Sequence, residues 1–423
     1  MWIEINTAPT ADAGLMEVNA MRRGPRRRGR WLLVQAVALV LVLVLAVVLA
    51  VASPLARAAT DRYYLPRVML WQDADAGDVH RFPSRAVRAA ATPFVYPTAP
   101  SHPNADPRLQ TVRIEQDGRM EERRLDELLT STGTTAFIVI QNDRLIDERY
   151  PNGGSRESTQ TSFSVAKSFV SALVGIAIAE GKIGSVDDPI TTYLPELRER
   201  DSRFEQVTIG DLLSMSSGLR YDDGGLPWRS DDTRTYYATD LRELALNDSR
   251  VESEPGKQFE YNNYHPLLLG LILERVTGMP VTQYLQETLW QPLGMEGDGS
   301  WSLDSDASGF EKMESGINAR AIDFAKLGSL YLHGGAWHGQ QVVPRAWVEA
   351  STMTQITTPS GLGYGYFWWI GTDGHYAARG NLGQYIFVAP EKGLVIVRCG
   401  TRYGLEGEGP AWFETFEAIA ARF

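Results

Sequence analysis

Ser164 and Lys167 stand three residues apart in Thr161-Ser162-Phe163-Ser164-Val165-Ala166-Lys167-Ser168-Phe169, at the point where an apolar helix is about to begin. Positions i and i+3 share a helical face, so the spacing brings a hydroxyl and an amine within reach of each other. A serine hydroxyl is a poor nucleophile at neutral pH and needs a neighbour to take its proton. A lysine enclosed with few counter-charges can do so after losing its own proton, or can stabilise the deprotonated serine as a cation. A serine in the first turn also meets the positive end of the helix dipole, and its backbone N–H can supply half of an oxyanion hole. The same four-residue pattern is shared by a capping serine followed by a surface lysine. Context separates the two: Phe169 to Ala179 is apolar nearly all round, which implies a helix buried on every side and a Lys167 drawn partly inside with it.

A second polar constellation lies 97 residues after Ser164, in Pro255-Gly256-Lys257-Gln258-Phe259-Glu260-Tyr261-Asn262-Asn263-Tyr264-His265. Placed near Lys167, the Tyr261 phenol can relay a proton between nucleophile, leaving group and water, while the Asn263 amide can hold Lys167 or a substrate carbonyl. Alone, these two residues would read as a core aromatic and the cap of the helix starting at His265.

Ser164-x-x-Lys167 together with Tyr261-x-Asn263 resembles the first two signatures of the class C β-lactamase and DD-peptidase superfamily, in particular its branch of esterases and 6-aminohexanoate-dimer hydrolase-like amidases. Supporting segments are Leu212 to Leu219, Trp290 to Met295 and Gly316 to Gly328, and the likeness spans about Glu121 to Phe423. It implies a β-lactamase-like fold and an acyl-enzyme on Ser164, with neither cofactor nor metal. The third signature of the family, Lys-Thr-Gly or His-x-Gly, is where this chain departs: the corresponding place reads Arg379-Gly380-Asn381-Leu382-Gly383. By similarity the backbone N–H of Asn381 completes the oxyanion hole, since a main-chain donor does not depend on the side chain. Arg379 is either a replacement anion contact or an exposed strand-end arginine. Loss of the usual cation argues against penicillin-type substrates in particular.

Other candidates are weaker. Tyr221 is a possible substrate contact from the loop after Leu219. His265 lacks an acidic orienter and reads as part of a packed helix rather than a Ser–His pair. The six histidines show no metal spacing. Asp222-Asp223 and Asp231-Asp232 read as solvated loop charges. The aromatic run Gly363 to Trp369 lacks a basic groove, so it fits a strand filling the core and lining the cleft rather than a nucleic-acid platform.

The elements that must position these residues begin near Glu121, with a short helix over 121–129. Strands at Ala136 to Ile140 and Leu145 to Tyr150 flank an Asn142-Asp143 turn. Three further strands are expected at Tyr364 to Ile370, Gln384 to Val388 and Leu394 to Cys399, with a closing helix from Trp412 to Phe423. The fold class is mixed α/β (α+β): a five-stranded antiparallel sheet flanked by terminal helices, with a mostly helical insertion at about 190–335 forming the other cleft wall.

Upstream, six arginines within residues 22–30 precede Trp31 to Ala52, an uncharged run of mostly Leu, Val and Ala. As a helix it would measure about 33 Å, enough to span a hydrocarbon core of about 30 Å. The expectation is a basic cytoplasmic tail (1–30), a transmembrane helix (31–53) that contacts the lipid bilayer, a proline-rich stalk (54–120) and an outward-facing catalytic domain (121–423). A cleaved signal peptide ending at Ala56-Arg57-Ala58 is the alternative. With 423 residues, a net charge of −11 and Cys399 as the only cysteine, the chain can bury a large core but can form neither an internal disulfide nor a thiolate metal site. The expected partner is a small-molecule or short peptide-like substrate and not nucleic acid; the alternatives are a non-catalytic surface protein that captures peptidoglycan or a peptide in the same cleft, and a true β-lactamase or DD-peptidase.

Overall fold

The structure, a computed structural model, describes residues 64–98 and 106–423, apart from 117, 225 and 372. The basic tail and the apolar run lie outside the described residues; among the described residues no helix is long and apolar enough to cross a membrane.

Leu394–Gly400 pairs antiparallel with Thr134–Gln141, Ile396 facing Val139, so the two ends of the catalytic domain meet in the middle of one sheet. Eight antiparallel strands follow the order Ile356–Thr357, Gly363–Tyr364, Trp369–Ile370, Tyr376–Gly380, Gln384–Ala389, Leu394–Gly400, Thr134–Gln141 and Arg144–Arg149. Successive side chains point to opposite faces, and both faces are covered, which is why these strands are apolar almost without interruption. Ile138, Ile140, Val395 and Val397 pack on the side of the nucleophile helix Ala166–Ala179. Phe137, Val139, Phe387 and Ile396 pack on the other, against Trp412, Phe413 and Phe416 of the closing helix Glu408–Ala420. Asn142 and Asp143 both take positive φ, 48° and 58°, the conformation that a tight two-residue hairpin turn requires.

The sheet is wider than the five strands expected. Tyr376–Gly380 is an additional strand, and the aromatic run breaks into two short pieces where Phe367 takes a φ of 61° and gives its N–H to Leu213 and Gly365. Near the start, Arg119–Arg124 is a strand paired with Thr111–Gln116, and only Leu125–Ser131 is helical. The helix Ala321–Leu332 packs on the central sheet, with Gly328 against Ile386 and Val395, so the insertion ends earlier than 335.

The largest difference concerns the expected stalk. The described residues 64–98 and 106–120 of that stretch belong to the same compact unit as the catalytic domain. Within it Ser84–Val87 adds the edge strand to a second, four-stranded sheet, in the order Ser84–Val87, Gly299–Ser302, Ile317–Arg320, Thr159–Thr161. Prolines punctuate this region without unstructuring it, because the helix Tyr64–Trp71 and Phe82 bury aromatic surface against Tyr236 and Tyr237.

Candidate active site

The strand Thr159–Thr161 delivers the chain into a tight turn, Phe163–Val165, that opens the nucleophile helix. Phe163 takes a φ of 43°, unfavourable for a residue with a Cβ, and this kink sets Ser164 at the helix entrance, partly exposed. Twelve of the fourteen residues of Ala166–Ala179 are buried, Lys167 among them. Burial of the helix on all sides thus carries the lysine inward, as its composition predicts.

Lys167 Nζ lies 2.9 Å from Ser164 Oγ and donates to the Glu314 carbonyl at 2.8 Å. Burial pushes its pKa down to about 7, against the opposing pull of the Glu314 and Asp232 charges. At neutral pH a large fraction of the amine is therefore unprotonated and has a lone pair for the serine proton. The Tyr261 phenol lines the same cleft as Ser164, and its ring stands 5.0 Å from Lys167 Nζ. Burial drives its pKa well upward, so it is held as a proton donor. Hydroxyl and phenol thus line one cleft of about 490 Å³, with the buried amine directly behind the hydroxyl.

Asn263 lines the cleft but does not bond to Lys167. Its amide donates to the Tyr221 hydroxyl at 2.9 Å and to Asp232 Oδ1 at 3.1 Å, which leaves its buried carbonyl oxygen without a protein partner. Tyr221 is not among the cleft-lining residues: it stands behind the wall, its hydroxyl spanning Asn263, Asp232 and Thr235, so it braces the site rather than contacting substrate.

Asp232 was legible in the sequence only as a solvated loop charge. It stays solvent-exposed, but the helix Asp231–Tyr237 places it on the cleft wall, where desolvation raises its pKa while Tyr221 and Lys167 oppose that shift. Glu314, which no sequence motif marks, is buried and paired with buried Lys312 at 2.9 Å, and that pair fixes the carbonyl holding Lys167. His265 is a core residue: it is buried between Ser217 and Met215, and burial lowers its pKa to about 3.

On the opposite wall the strand Tyr376–Gly380 ends beside the nucleophile turn. Gly380 approaches so closely that a Cβ there would fall 2.5 Å from the Ser162 carbonyl oxygen. Asn381 follows, lining the cleft with its backbone next to that turn; its side chain is turned back onto Leu382 N–H and the Tyr403 hydroxyl. Arg379 also lines the cleft, its guanidinium 4.3 Å from the Trp369 ring and with one buried nitrogen lacking a hydrogen-bond partner. Buried Arg398 secures the turn from below, donating to the carbonyls of Leu382, Gly383, Thr132 and Arg402. Among the described residues no group of His, Cys, Asp and Glu is arranged to hold a metal ion.

A serine at a helix entrance, an amine and a phenol converging on it, and an antiparallel strand closing the cleft define a serine hydrolase of β-lactamase type. The Beta-lactamase family pattern matches residues 122–416, and the chain belongs to that family. It is similar to the 6-aminohexanoate-dimer hydrolase of Paenarthrobacter ureafaciens, 28% identical over 302 residues that cover 66% of this chain and 75% of that protein. Esterase EstB of Burkholderia gladioli is 29% identical over 205 residues, 44% of this chain and 50% of that protein. A solved structure from Bacillus anthracis, described as a 6-aminohexanoate-dimer hydrolase, superposes with a TM-score of 0.72 at 23% identity, covering 81% of this chain and 92% of its own; it speaks for the fold.

Proposed function

We propose that the protein hydrolyses an ester or amide bond of small linear substrates through an acyl-enzyme on Ser164. The observation that carries this reading is the 2.9 Å contact between Ser164 Oγ and a lysine whose pKa burial has brought to about 7. Neutral Lys167 takes the hydroxyl proton as Ser164 Oγ bonds to the substrate carbonyl carbon. The oxyanion is held by the backbone N–H groups of Ser164 and Asn381. Tyr261 passes its proton to the leaving alcohol or amine as that group's bond to carbon breaks, and the Lys167 ammonium reprotonates the phenol, leaving both groups as they began. Water then attacks the acyl-serine and gives its proton to neutral Lys167 or, through Tyr261, to the same amine, which returns it to Ser164 Oγ as the bond between serine and acyl carbon breaks and the acid is released. Asp232 on one wall and Arg379 on the other favour substrates with a cationic and an anionic end; the Asn263 carbonyl oxygen favours amides. The 6-aminohexanoate-dimer hydrolase relative supports this choice.

Treatment with a fluorophosphonate should add one adduct, mapped by peptide mass spectrometry to the segment containing Ser164, and a p-nitrophenyl ester should show a burst of p-nitrophenol. Absence of both would leave the cleft a binding site and overturn the reading.

The pH dependence follows from the lysine. Activity requires the neutral amine, so kcat/KM for a neutral ester should rise along a limb near pH 7 and fall away below it. Glu314 and Asp232 both favour the protonated amine; Asp232→Asn removes one of these charges and should move the limb to lower pH. A pH–rate profile for wild type and variant checks the sign, and an unmoved limb would contradict it.

The run Trp31 to Ala52 supports a further reading, that the catalytic domain is tethered to a membrane with the arginine-rich tail on the cytoplasmic side and the domain outside, periplasmic or extracellular. Retention of the full chain in the membrane pellet after an alkaline carbonate wash is the expected result; release into the supernatant would refute it.

A further inference from the structure

Ser164 is not walled in by its own family region alone. The matched stretch begins at residue 122, yet Gln72, Asp73 and Ala74 line the cleft that holds Ser164. They sit on an arm, Tyr64 to Phe82, that docks on the helix Asp231–Tyr237, the same helix that brings Asp232 into the cleft. The docking is specific. Trp71, Phe82, Tyr236 and Tyr237 form an aromatic cluster with ring centroids 4.9 to 6.2 Å apart, edge-to-face except for Phe82 and Tyr237, which stack. Arg67 donates to the Tyr237 carbonyl at 3.0 Å, the Tyr237 hydroxyl to the Gln72 carbonyl at 2.8 Å, and the Tyr236 hydroxyl to Asp78 at 2.6 Å. Gln72 takes a φ of 56°, which ends the helix Tyr64–Trp71 sharply and turns the next residues along the cleft. A left-handed residue with a side chain persists only where its surroundings hold it, and the Tyr237 hydroxyl bonds that very residue.

We propose that this arm is the specificity wall of the active site, with Asp73 selecting substrates that carry a cationic group at the Asp232 end of the cleft. The cleft is electrostatically divided. Asp73 and Asp232 lie on the arm and its docking helix, Arg379 on the sheet side. Among the described residues no cation pairs with Asp73, so its charge stays available to a ligand. A cationic substrate end placed there meets two carboxylates, only one of which the family region supplies. A neutral substrate of equal length gains nothing from either.

This inference rests on the hydrolase reading, and the test separates the two. The full chain is assayed on the p-nitrophenyl esters of hexanoate and of 6-(trimethylammonio)hexanoate, which differ in the cationic end group. Wild type is expected to favour the cationic ester in kcat/KM. Asp73→Asn should raise KM for that ester by about three- to tenfold, with kcat unchanged and both constants for the neutral ester within about twofold. Tyr237→Phe, which frees the Gln72 carbonyl, should raise KM for both esters. Equal preference for the two esters in wild type, or an unchanged ratio in Asp73→Asn, overturns the arm's role and leaves the hydrolase standing. No turnover of either ester sinks the hydrolase reading itself.

Discussion

Lys167→Met should lower kcat for an ester substrate by about 10²- to 10⁴-fold, the range for removing a positioned general base, while the melting temperature stays level or rises. The two halves of this outcome have one cause. Lys167 is buried among apolar neighbours with its nitrogen bonded only to Ser164 and the Glu314 carbonyl, and burial has already brought its pKa to about 7. Such an amine is costly to keep inside, and an apolar side chain of similar length removes that cost. A lysine that served structure would show the reverse, with stability lost and kinetics little changed. Ser164→Ala removes the nucleophile itself and should reduce turnover further, to the residual rate that binding and oxyanion donors sustain. Steady-state kinetics and thermal melts on the same preparations check both variants; a Lys167→Met enzyme with kcat within about threefold of wild type would rule out lysine as the base.

How much of this was legible in the sequence depended on the range of the interaction. Ser164 and Lys167 are a local pair, and the apolar helix behind them announced the burial that tunes the amine. Tyr261 was reached through a resemblance, since nothing local in its segment forces a phenol toward residue 164. Asp231 was misread because its loop is polar and acidic: it is buried and accepts from the Tyr264 hydroxyl and the Asp222 N–H, while its neighbour Asp232 stays exposed on the cleft wall. Glu314 and Arg398 act through what they hold in place, a carbonyl and a turn, and such roles leave no periodicity or spacing to read. The paired central strands were visible as apolar runs. The arm was not, because proline-rich sequence resembles a linker until its aromatic residues find partners more than 150 positions away.

The Arg379-Gly380-Asn381 segment shows why a departure from the family's third signature can leave the chemistry intact. What the proposed mechanism needs there is a backbone N–H beside the nucleophile, and the residue that would secure it is Gly380. Its φ of −133° is open to any amino acid, so the requirement is one of space. A Cβ would lie 2.5 Å from the Ser162 carbonyl oxygen and 3.2 Å from Phe163 Cβ. Ser162 cannot retreat: its N–H donates to the Ile317 carbonyl, and its hydroxyl accepts from the Ile317 N–H. The strand must move instead, and it takes the Asn381 N–H away from the oxyanion. Gly380→Ala is therefore expected to cost about 10²- to 10³-fold in kcat, the usual loss for one oxyanion donor, with KM changed far less. Overpacking should also destabilise the fold by about 1–3 kcal/mol, well short of unfolding a domain with this core. Kinetics and thermal melting of the purified variant measure the two effects separately. Activity retained within about threefold would show that the second donor lies elsewhere, and the assignment of the oxyanion hole to Ser164 and Asn381 would fall with it.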